Sequence, residues 1–170
     1  MSCPIILTGI ELGCKDAIAG IKEVYLIDRN SITGTTVSGS TITAISAGTE
    51  KFKVYKFKNQ TGMVNSVGTF NDANENQFYT NDLTLKFNKL EAAKRTEIEA
   101  MSKGRLAAIV KTNAGQYIYL GYDNEVTVTA NVATSGTAFG DQNGYQLTLQ
   151  DISFQLPYFV DGTIIAALIA

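Results

Sequence analysis

Residues 79–87 alternate in polarity: Tyr79, Leu83, Leu85 and Phe87 share one parity, and Thr80, Asp82, Thr84 and Lys86 share the other. A two-residue period places one set on each side of an extended chain, the pattern of an antiparallel strand with one buried face. The period returns in Val126, Val128, Ala130 and Val132, which alternate with Thr127, Thr129 and Asn131, and again in Tyr145, Leu147 and Leu149. Val24 to Asp28 adds a short β-branched and aromatic run, and Ser31 to Thr49 a Thr, Ser and Gly-rich stretch suited to turns and exposed strands. Residues Asn71 to Asn76, Thr112 to Gly115 and Ser135 to Gly144 carry the Asn, Asp and Gly that tolerate turn geometry, so each joins two strands into a hairpin.

Two places change parity. Phe52 and Val54 are followed by Tyr55 and Phe57, and Leu149 is followed by Ile152, Phe154 and Leu156, so a β-bulge is expected near Val54-Tyr55 and another before Pro157. One helix interrupts the strands. Asn88 and Glu91 have the spacing of a capping box and Gly104 supplies a stop; Leu90, Ala93, Ile98 and Met101 form the apolar stripe between them. Opposite charges at Glu91-Arg95, Arg95-Glu99 and Glu99-Lys103 mark the solvated face. The expectation is a mainly β fold of about eight strands, an antiparallel β-sandwich or barrel with one α-helix. At 170 residues the chain fits one domain, with an N-terminal arm over 1–20 and a C-terminal arm over 159–170.

Composition removes most chemistry. There is no histidine, hence no Ser-His or Cys-His pair and no imidazole metal ligand. Cys3 and Cys14 are too few for a thiolate zinc site and too far apart for a redox pair, and a disulfide between them stays open. No two glycines are separated by a single residue, and Gly34 and Gly39 are followed by Ser40 where a phosphate loop needs Lys. Asp72 to Asn76 imitates the start of a calcium loop, but Gln77 stands where Gly is required and Leu83 where the bidentate Glu belongs. Nothing among the 16 acids selects a glycosidase pair. Tyr117, Tyr119 and Tyr122 suit packing across a sheet better than a sugar platform. No catalytic, cofactor or metal site is expected. Met1-Ser2-Cys3-Pro4 lacks a basic leader, and the run Ile164 to Ala170 is far short of the ~20 residues a bilayer requires, so synthesis and assembly in a cytoplasm without membrane contact are expected.

Two segments point to interaction. Lys51, Lys53, Lys56 and Lys58 carry four positive charges with no intervening acid, in a chain of net charge −2; they either guard an edge strand or face a polyanion such as DNA or an acidic neighbouring subunit. Phe159 to Ala170 has one charge, Asp161, and is either core or an arm laid on another chain; the second option makes Phe159, Ile164, Ile165, Leu168 and Ile169 a candidate subunit interface.

Two motifs carry a resemblance. Cys14-Lys15-Asp16-Ala17 with Gly20-Ile21-Lys22-Glu23-Val24-Tyr25, and Ser135 to Asp141 with Gly144-Tyr145-Gln146-Leu147-Thr148-Leu149, resemble small virion structural proteins of tailed bacteriophages of Bacteroides-type hosts, including crAss-like phages. The order of hairpins, one helix and more hairpins is similar to the tail-tube fold of phages and related injection machines. That resemblance implies a noncatalytic, tail-tube-like virion protein. It implies copies joined side by side in a ring of the tail or neck, contacts with neighbouring tail, neck or portal proteins, and nonspecific contact with DNA passing the lumen. A β-sandwich adhesion or glycan-binding module is the alternative.

Overall fold

The computed structural model describes residues 8–170. Its strands and helices follow in the order β1 (Ile21–Asp28), β2 (Gly34–Ser38), β3 (Thr41–Ser46), β4 (Lys53–Lys56), β5 (Met63–Asn71), β6 (Asn76–Asn88), α1 (Ala92–Lys103), β7 (Leu106–Thr112), β8 (Tyr117–Leu120), β9 (Thr127–Thr134), β10 (Gly144–Ser153), β11 (Phe159–Val160) and α2 (Gly162–Leu168). A single 3-10 turn occupies Arg29–Ser31. The strands form a seven-stranded sheet, β2-β3-β11-β8-β7-β1-β4, and a four-stranded sheet, β5-β6-β10-β9. Among the described residues the named strands pair antiparallel except β11 with β3, and an isolated bridge joins Phe52 to Ile169 in parallel. The architecture is a mainly β, sandwich-like fold, and its sheets do not close into a barrel.

Two cores explain why one sheet reads as continuous hydrophobic sequence and the other as alternation. Between the sheets lie Val24, Leu26, Ala108 and Val110 of the larger sheet, facing Leu83, Leu85, Leu147 and Leu149 of the smaller, with Ile98 and Met101 of α1 at the side. On the far face of the larger sheet, Tyr25, Ile27 and Ile109 join Ile42, Phe52 and Ile165 in a second core. Strands β1 and β7 are therefore buried on both faces, and β6 and β10 on one.

That second core corrects several expectations. Residues 159–170 are not a free arm. β11 pairs with β3 and β8, and α2 crosses the outer face of the sheet to the β4 end, where Phe52 N–H donates to Leu168 O (2.9 Å) and Ala170 N–H to Phe52 O (3.1 Å). Of the candidate interface, Ile165 and Leu168 are buried in this chain's own core, Ile164 and Ile169 pack partly buried against it, and Phe159 is half-exposed. The apolar run gains a helix because Asp161 accepts from Thr163 N–H (2.9 Å) at its start and Ala166, Ala167 and Leu168 are good helix formers. The described residues thus hold two α-helices rather than one.

Neither expected bulge is present. β4 pairs with β1 in continuous register from Lys53 to Lys56. Phe52 and Val54 serve the outer core and Tyr55 and Phe57 the inner one, so the parity change is a strand with two buried sides. β10 also pairs with β6 continuously from Gly144 to Ser153; its inward positions simply turn polar, as Asp151 and Ser153, while Ile152 points outward. The register shifts fall elsewhere, including one of β9 against β10 between Thr148 and Leu149. The capping box is likewise absent. Asn88 ends β6, Lys89 takes a positive φ of 66°, and α1 starts after Glu91 without a side-chain cap. Asn143 satisfies this corner instead, accepting from Lys89 N–H and Leu90 N–H.

Residues 8–20 carry no strand or helix and all are exposed, Ile10 and Leu12 completely so. The expected N-terminal arm falls partly here; residues 1–7, with Cys3, lie outside the described residues, and Cys14 is exposed.

Candidate functional site

The features that distinguish this sandwich are its open edges. β5 and β9 flank the four-stranded sheet, nine and eight residues long, and neither contains a charged residue or a proline. Edge strands of proteins that stay single are usually shortened, charged or interrupted, because their unpaired N–H and C=O groups template pairing with another chain. β5, β6, β10 and β9 alternate in direction, so β5 and β9 run antiparallel to each other. A second copy set beside the first in the same orientation therefore brings β9 against β5 with ordinary antiparallel polarity. Such a contact joins two different surfaces, the type that closes into a ring or runs on as an open filament according to the rotation between copies.

The outward face of this sheet is uncovered. It presents Thr80, Thr84 and Thr148 with Gln146 and Gln150, and its only charges are Asp82 and Lys86. Gln150 Nε2 donates to Asp82 Oδ1 at 2.9 Å. Toward one end of the sheet Val67, Phe78, Ile152 and Phe154 are exposed, by 38% to 72%. The β5-β6 hairpin projects past β10 there, since its pairing runs on to Asn71 and Asn76 whereas β10 stops opposite Tyr79.

The seven-stranded sheet treats its edge differently. β4 lies at the border, and Lys51, Lys53, Lys56 and Lys58 are all exposed around it. They do not form a one-sided basic surface. Lys53 lies opposite Leu26 and Lys56 opposite Glu23, on opposite faces of the strand, and Lys51 Nζ donates to Ala167 O (2.5 Å) at the carboxyl end of α2, where a cation opposes the helix dipole. Beside the unpaired border of β4 runs a groove of about 200 Å³ with Val54, Tyr55 and Lys56 on one wall and Phe87, Ile98 and Met101 on the other. The Tyr55 hydroxyl donates to Glu97 of α1, and burial with this carboxylate pushes the phenol far above its usual range.

One polar cluster is buried between the sheets. Asn81, Asp151 and Ser153 are each under 5% exposed. Asp151 Oδ2 accepts from Gly121 N–H (3.1 Å) and from Asn81 Nδ2 (3.3 Å), and Asn81 Nδ2 also donates to Ser153 Oγ (3.0 Å). Asp151 Oδ1 and Asn81 Oδ1 have no partner. Burial pushes the Asp151 carboxyl up; the Gly121 and Asn81 hydrogen bonds oppose this, Asp123 reinforces it and Arg29 opposes it more weakly. No sequence pattern singled out this cluster; the one available signal was the polar residue pair at inward positions of β10.

The tyrosines do not line a sugar platform. Tyr119 is 1% exposed, Tyr117 stacks on Tyr25 and Tyr122 packs edge-on against Tyr158. No helix among the described residues is long and apolar enough to cross a membrane. No protein-family model, curated protein or solved structure matches the chain.

Proposed function

We propose that the chain is a noncatalytic structural subunit of a tailed-phage virion, assembled side by side with its own copies into a ring of the tail or neck through which DNA passes. The observation that carries this reading is the pair of long, charge-free edges, β5 and β9, on opposite borders of one sheet with mutually antiparallel directions. Pairing them copy to copy turns four-stranded sheets into one continuous wall. Its uncovered face is hydroxyl- and amide-rich and carries two charges of opposite sign per copy, a surface with no fixed attraction to phosphates. Neighbouring tail, neck or portal proteins would meet the ring at its two ends, where the projecting β5-β6 hairpin and the 8–20 segment are exposed.

The test is mass by light scattering with negative-stain images of the same fraction, for the wild type and for a variant carrying Val67→Lys and Val132→Lys. Both positions are about half exposed and outward-facing, so the fold is retained while like charges are placed at both borders of the joint. Closed rings that the variant cannot form support the reading. A monomer that also fails to join portal or tail partners overturns it.

A further inference from the structure

The β4 border is open for a different reason from the β5 and β9 borders. It is short, lysine-flanked and backed by an apolar groove, which makes it a receiver for a single extended segment. A segment that fits must place apolar side chains at alternate positions toward Phe87, Ile98 and Met101, with an acid between them on the Lys56 side. Among the described residues, no carboxylate lies within 4 Å of Lys53, Lys56 or Lys58. Three exposed lysines interleaved with Val54 and Phe57, of which Lys56 is set across from Glu23 on β1 without a close ion pair, suit an acidic and apolar strand better than a nucleic acid, whose backbone needs an extended basic track.

The chain itself contains such a segment. Ile10-Glu11-Leu12 is apolar, acidic, apolar, lies in extended sequence without strand or helix, and exposes both apolar side chains completely. Its own trunk leads away from β4: Ala19 O and Gly20 O accept from Asn113, at the turn between β7 and β8, on the other side of β1 from β4. We infer that the β4 border and its groove bind the Ile10–Leu12 segment of a second copy as an added strand. Ile10 and Leu12 enter the groove about 7 Å apart, the spacing of alternate residues on a strand. Glu11 falls on the opposite face, beside Lys56, as a cross-strand ion pair. This contact is separate from β5-β9 pairing and holds whether or not that sheet closes.

The experiment places the photo-crosslinker benzoylphenylalanine at position 12 of the full chain, in an equimolar mixture of isotopically heavy and light protein. Heavy-light crosslinks from position 12 to peptides containing Val54 to Phe57 or Phe87 are expected. With the crosslinker kept at position 12, Ile10→Asp should lower their yield about tenfold or more. Glu11→Lys and Lys56→Glu should each weaken them, and the double swap should restore them. Because residues 8–12 take no part in the core, circular dichroism of Ile10→Asp should match the wild type. Crosslinks confined to one chain, crosslinks to other surfaces, or a double swap no better than either single change would overturn the inference.

Discussion

Replacing Asp151 by Asn should make the protein more stable at neutral pH, although it removes a buried polar group's native chemistry. The carboxyl is 3% exposed, and one of its oxygens and the Asn81 carbonyl oxygen are both buried acceptors without donors. An amide at 151 retains the acceptor used by Gly121 N–H and Asn81 Nδ2 and turns the orphan oxygen into a donor, which the Asn81 carbonyl can accept. An unsatisfied buried polar atom costs about 1–3 kcal/mol, so the net gain should be about 1–2 kcal/mol. For a chain of this length that corresponds to roughly 2–8 °C in Tm. The pH dependence supplies the stricter check. The folded-state pKa of Asp151 lies above the unfolded value of 3.8, so the folded state holds the proton more tightly. Its stabilising contribution is full below that unfolded value and is lost as pH rises through the folded one. Glu91, Glu99, Asp141 and Asp161 are shifted downward and act in the opposite sense, so the total profile mixes both signs. Urea unfolding of both proteins at pH 4, 5.5 and 7.5 isolates the Asp151 contribution as a difference that should widen with pH, at pH values chosen to bracket the range where stability commonly peaks. A variant less stable than wild type at pH 7.5, or a gap that does not change with pH, would refute the reasoning.

The remaining predictions concern the second core and the corner after β6. Leu168→Asp should unfold the chain, because it places a carboxylate among Ile42, Phe52 and Ile165, whereas Phe159→Ala should cost less than about 1 kcal/mol; thermal melts of the two separate a core helix from a detachable arm. Gly144→Ala should destabilise by about 3 kcal/mol in urea titrations, since its Cβ would stand 1.9 Å from Phe87 O across the β6-β10 pairing.

Period-two patterning made β6, β9 and the first half of β10 legible in the sequence, along with the Asn71 to Asn76 and Thr112 to Gly115 turns. What escaped it was a sheet buried on both sides. In Phe52 to Phe57 both parities are apolar because each faces a different core, and a one-core reading must invent a bulge to explain this. The same assumption left the outer face of the large sheet without a cover and turned α2 into a candidate arm. The helix boundary was misplaced because Asn88 and Glu91 satisfy a local pattern, while pairing of Asn88 with Gly144 holds that residue in the strand. The lysines were legible as an edge guard, but the groove beside them was not, since it is made by Phe87, Ile98 and Met101 from separate elements.

The place of β10 in the small sheet orders events during synthesis. β5 and β6 emerge as a local hairpin, but the strand that separates β6 from β9 begins only at Gly144. Until that strand arrives, β6 is itself a border, and β9 has no inner neighbour to hold it at the opposite edge. A pairing bridged by more than fifty intervening residues forms late, because loop closure precedes its reward. The β5 border therefore exists as soon as the hairpin forms, and the β9 border is added only when β10 has docked on β6. A chain that stops short of Gly144 has no β9 border, so the proposed pairing of β9 with β5 would wait on β10.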